Sequence, residues 1–130
     1  MAVDILWKDR CVLATYRGEV THDNIVESYR RIEGDHRFDE LHFSIIDLTE
    51  LSPAVMHEHL LEEIAAENWA ASATNRRLNT AVVALHPEIV EAINRYQSLM
   101  PVPRHIPDVR VCGSVDEARA AFGVGIGFTP

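Results

Sequence analysis

Apolar residues along the chain fall into two rhythms: short runs where they crowd or alternate, and longer stretches where they return every third or fourth position. The short runs predict strands over Asp4 to Trp7, Cys11 to Arg17, Leu41 to Leu48, Leu78 to Leu85 and Val109 to Cys112, with the polar triplet Lys8-Asp9-Arg10 as a tight turn between the first two. The longer stretches predict helices. In the first, Thr21 is the N-cap, Val20 staples onto Ile25, and Ile25, Tyr29 and Ile32 recur until Gly34 stops the helix. The second opens at Ser52 with Pro53 at its first helical position and Leu51 set to staple onto Met56. It buries Met56, Leu60, Leu61, Ile64 and Ala65 and turns Glu58, Glu62 and Ala66 outward. His86-Pro87 opens a third helix with Ile89, Ile93, Tyr96 and Met100 on one side, and Ser114 with Glu117 makes a capping box for a fourth that buries Ala118, Ala121 and Phe122.

The resulting order is β-β-α-β-α-β-α-β-α, which implies an α/β fold with one mostly parallel five-stranded sheet and the first strand antiparallel at an edge. The run AVVAL, apolar on both faces, suits an interior strand. In the central strand Leu41, Phe43, Ile45 and Asp47 form the greasier face, and His42, Ser44, Ile46 and Leu48 a mixed one. Helices should cover one face heavily and leave the other thinly covered or free for self-association. Residues 1–130 form a single domain, with an extended loop over Pro101 to Pro107 and a glycine-rich tail, 123–130, that is loosely held.

Composition narrows the partners. Of 130 residues 47% are hydrophobic, enough for a core, and a net charge of −8 without a basic cluster argues against nucleic acid and anionic membranes. No apolar run approaches a membrane span, and the opening MAVDILWKDR is not a signal peptide, so a cytoplasmic protein is expected. Cys11 and Cys112 lack metal-type spacing and read as buried, reduced thiols.

Ligands of open parallel sheets settle at the carboxyl ends of the strands, where Asp47, Thr49, Ser52, His57 and His86 should gather. By the helical wheel His57 lies on the side of Leu60 and Leu61 and should face the upper edge of the sheet. Each of these residues also has a structural explanation: Asp47 as an acceptor of loop amides, Ser52 as an N-cap, and His86 as the residue before an N-terminal proline. No Gly-x-Ser-x-Gly elbow accompanies Ser52, which argues against a hydrolase. His59 and Glu63 stand one turn apart without the His-Glu-x-x-His order, and a solvated acidic face explains them; neither a metal centre nor a cofactor is expected. The GVGIG tail is no dinucleotide fingerprint. Trp69, at the margin of the second helix's stripe, is a candidate interface anchor, and Arg95 adjoins the buried Tyr96.

The segments Gly18-Glu19-Val20-Thr21, Asp35-His36-Arg37-Phe38, Ile46-Asp47-Leu48-Thr49, Ala81-Val82-Val83-Ala84, Val109-Arg110-Val111 and Asp116-Glu117-Ala118 together resemble the bacterial STAS-like, or SpoIIAA-like, proteins. These share the fold of the sporulation anti-sigma-factor antagonists and are grouped with lipid-binding CRAL-TRIO domains. The resemblance implies a phosphorylated serine after the central strand, for which Ser52 is the nearest counterpart, with Leu51-Ser52-Pro53-Ala54 in place of that family's Asp-Ser-Ser-Gly. The expected function is therefore a non-catalytic cytoplasmic binding or signalling module. It would take a protein partner or a small apolar or anionic ligand at the carboxyl edge, with a homodimer as one form of partnership. The alternative is a small enzyme using Asp47, His57 and His86 for acid-base chemistry.

Overall fold

The computed structural model describes residues 3–101 and 107–123. A hairpin of β1 (Val3–Lys8) and β2 (Cys11–Gly18) opens the chain, followed by α1 (His22–Glu33), β3 (Phe43–Leu51), α2 (Glu58–Ala71), β4 (Asn79–Val83), α3 (Pro87–Leu99), β5 (Arg110–Cys112) and α4 (Val115–Phe122). Short 3-10 turns, His36–Glu40 and Pro53–Val55, flank β3. Among the described residues the sheet has five strands, with β1 antiparallel to β2 at an edge and the other pairs parallel, as the sequence predicts; their order, β1-β2-β3-β4-β5, is set by the fold.

Strands laid down in sequence order make every parallel crossover step the same way, and right-handed crossovers then send their helices to one face. α1, α2 and α3 accordingly pack over Val12, Ala14 and Tyr16 of β2, Ile46 and Leu48 of β3 and Val82 of β4. Of the described helices only α4 lies on the opposite face, setting Ala118 and Phe122 against Leu13, Ile45, Ala81 and Val83. The greasier face of the central strand, with Phe43 and Ile45, is thus the thinly covered one, while the three helices sit on the side of Ser44, Ile46 and Leu48. Crossover handedness, not strand composition, assigns the helices. Leu41 lies ahead of β3 and joins the three-helix core.

Most helix starts follow the sequence signals. Thr21 Oγ1 accepts from Asn24 N at 3.1 Å, and Val20 and Ile25 are both buried. Ser114 Oγ accepts from Glu117 N at 3.0 Å, while Glu117 Oε2 accepts from Gly113 N at 2.7 Å, so the box closes one residue early. α2 departs from expectation. Ser52 makes no side-chain cap bond and leads only into the 3-10 turn, which Met56 ends at φ −82°, ψ 54°. The true N-cap is His57, whose Nδ1 accepts from Leu60 N at 3.2 Å. The stripe of Leu60, Leu61, Ile64 and Ala65 is buried as predicted, and Met56, outside the helix, is half-buried against the same core.

Cys11 and Cys112 are free and buried on the α4 side. Among the described residues no helix is long and apolar enough to cross a membrane. Of the loop and tail expected over 101–107 and 123–130, residues 102–106 and 124–130 lie outside the described residues.

Candidate functional site

The five residues expected at the carboxyl edge divide between the two faces. Asp47 continues the register of Phe43 and Ile45 on the α4 side, where its Oδ1 accepts from Thr49 N at 3.0 Å and Thr49 Oγ1 at 2.8 Å. His57 caps α2 on the other side of the sheet. His86 caps α3, its Nδ1 accepting from Glu88 N at 3.2 Å, and Ser52 N donates to Gly18 O at 2.9 Å. Each histidine therefore spends one ring nitrogen on a helix terminus.

His57 is exposed, and its ring meets other imidazoles instead of the sheet edge. Its Nε2 lies 3.4 Å from His22 Nδ1, His22 Nε2 lies 3.2 Å from Glu63 Oε1, and His59 Nε2 lies 3.8 Å from the same oxygen. His22 escapes a reading by segments, because it meets the other histidines only through folding. The available signal is positional: it directly follows the Thr21 cap, and α1 and α2 both begin at the carboxyl edge.

A second feature lies inside the three-helix face. A cavity of about 90 Å³ separates the sheet from α1, α2 and α3, walled by apolar side chains including Ile46, Val82, Ile64 and Ile93. Val12, Ser44, Thr80 and the loop residue Leu41 line it at the amino ends of the strands, and Leu48, Met56 and Leu61 extend the lining toward the carboxyl ends. Its polar lining is sparse. Ser44 Oγ and Thr80 Oγ1 share one hydrogen bond at 2.7 Å, and Asn68 Nδ2 donates to the Tyr96 hydroxyl at 2.8 Å.

Tyr29 and Glu33, one turn apart on α1, also line it, and neither side chain hydrogen-bonds to another described residue. Burial, reinforced by the nearby Glu67 carboxylate and opposed by Arg30, pushes the Glu33 carboxyl up to about 8. Burial holds the Tyr29 phenol well above the ordinary tyrosine range. At neutral pH both groups are thus mainly uncharged O–H donors in an apolar chamber. That chemistry suits holding a ligand more than transforming one.

Trp69 is half-buried, as its place at the stripe's margin predicts, and Arg95 forms a surface ion pair with Glu58, Nη2 to Oε2, at 2.5 Å.

A mostly parallel sheet wound in strand order, with its crossover helices on one face and a closing helix on the other, is the STAS fold. A solved structure of the anti-sigma factor antagonist SpoIIAA in its unphosphorylated form matches with a TM-score of 0.57 over 96% of this chain and 100% of that one, at 14% sequence identity. Identity that low establishes the fold alone. No protein-family profile and no curated protein matches the chain.

Proposed function

We propose that the chain is a non-catalytic binding module that holds a small apolar molecule with a hydrogen-bond-accepting end in the cavity beneath α1, α2 and α3. The observation that carries this reading is the pairing of apolar walls with two neutral donors, Tyr29 and Glu33, that have no protein acceptor among the described residues. A core cavity of about 90 Å³ costs on the order of 2 kcal/mol in lost packing, which a ligand seated there offsets. Acid-base catalysis by Asp47, His57 and His86 loses support, because the sheet stands between Asp47 and His57 and both histidines serve as caps. A cytoplasmic setting belongs to the same reading.

Isothermal titration with a six-carbon methyl ketone tests the reading. One saturable equivalent should bind, and Ala71→Leu, which extends a side chain into the cavity wall, should abolish uptake while the chain stays folded. Equal uptake by both proteins, or by neither, counts against it.

A second reading places a protein partner at the carboxyl edge, as the likeness to an anti-sigma factor antagonist suggests. Leu85, 68% exposed just past β4, favours it as an apolar anchor. If the partner is a second copy, sedimentation at tens of micromolar should show a dimer that Leu85→Asp returns to monomer; a monomer at every concentration excludes the homodimer. Phosphorylation at Ser52 belongs to this reading, and intact mass measurement of protein from its native cells tests it.

A further inference from the structure

The imidazoles at the starts of α1 and α2 have an arrangement that capping does not account for. His57 alone caps a helix; His22 and His59 converge with Glu63, their ligand atoms all within 4.8 Å of one another. Glu63 Oε1 sits between His22 Nε2 at 3.2 Å and His59 Nε2 at 3.8 Å. Ligands around a tetrahedral ion bonded at its usual lengths stand roughly 3.3 Å apart, so modest side-chain rotations bring these three donors to bonding distance. His59 and Glu63 form an i,i+4 pair on one helix, and His22 supplies the third donor from another.

We propose that His22, His59 and Glu63 form a binding site for one divalent transition-metal ion of the zinc, nickel or copper type. Two imidazoles and a carboxylate suit such ions and not calcium or magnesium, which take oxygen ligands. Three protein donors leave a fourth position open, on the side where His59 is 76% exposed. The ion would tie the first turn of α1 to α2. The expectation of no metal centre weighed His59 and Glu63 by themselves; the third ligand is supplied by the fold.

Proton placement makes the inference specific. Because His57 Nδ1 accepts from Leu60 N, the neutral ring carries its proton on Nε2 and donates it to His22 Nδ1; His22 then carries its own proton on Nε2 and donates it to Glu63. An ion taking His22 Nε2 moves that ring's proton to Nδ1, where it opposes the N–H of His57. His57 is therefore a competitor of the ion and not a ligand.

The test is isothermal titration of tag-free full-length chain with zinc chloride, with imidazole ¹⁵N shifts recorded alongside. One equivalent should bind saturably and shift the His22 and His59 ring nitrogens. His22→Ala, His59→Ala and Glu63→Gln should each weaken binding at least about tenfold. His57→Ser, which keeps a capping hydroxyl, should bind zinc at least as tightly as the unchanged chain. The near-isosteric Glu63→Gln carries the comparison should an alanine variant fail to fold. No saturable binding, affinity indifferent to His22→Ala or Glu63→Gln, or loss of binding in His57→Ser would each overturn the proposal.

Discussion

Glu33 shows how a single residue can carry a pH dependence. Its carboxyl titrates near 8 in the folded chain against about 4.5 when unfolded, so between those values the native state retains a proton that the unfolded state has lost. The associated stability is fully present below about pH 4.5 and is lost as pH rises through about 8. Glu33→Gln should flatten this slope and raise stability at pH 8 by about 1 to 3 kcal/mol, read from urea melts at pH 5 and pH 8. Asn75, 1% exposed, has an opposite role: its Nδ2 donates to Phe38 O and Leu41 O, both at 2.8 Å, and pins the turn before β3. Asn75→Ala leaves two buried carbonyls without that donor and should cost about 2 to 4 kcal/mol by the same melts. Neither role was legible in the sequence, where Asn75 reads as a loop residue and Glu33 as the end of an amphipathic helix. Their decisive partners lie more than 30 positions away, 34 and 37 for Asn75. By contrast, Thr21, His86 and Ser114 act within three residues of themselves, and their caps were legible.

Among the elements, α2 separates a signal's strength from its position. Ser52-Pro53 has the composition of a helix start, and the chain does turn there, but the turn is 3-10 and closes at Met56. Histidine is not among the strongly preferred N-caps, which is why His57 was not singled out as one. Its Nδ1 nevertheless supplies the acceptor. His57→Ala should therefore cost about 1 kcal/mol, with His57→Ser restoring most of it, whereas Ser52→Ala should stay within about 0.5 kcal/mol. Thermal melts of the three variants check this; a larger loss at Ser52 than at His57 would return the helix start to Ser52.

For the whole molecule, strand order has consequences that composition does not reveal. Alternating strands and helices were enough to read a mostly parallel sheet, but not the order in which it is wound, and that order decides which face receives α1, α2 and α3. It also keeps β2 and β5 three strand spacings apart, about 14 Å, beyond the span of a disulfide. Burial pushes the Cys11 thiol up to about 12 and raises that of Cys112, so Ellman's reagent should find neither thiol reactive in the native chain and both after denaturation. The cavity was the least legible feature, since its volume is what remains after side chains from three helices and three strands have packed. The proposed ligand enters this chamber and not the carboxyl edge. Methyl and backbone-amide NMR during titration with a six-carbon methyl ketone resolves the two sites. Saturable shifts at Ile46, Ile64, Val82 and Ile93, with His57, Leu85 and His86 unmoved, are predicted. Shifts confined to those three carboxyl-edge residues, or none at all, would contradict it.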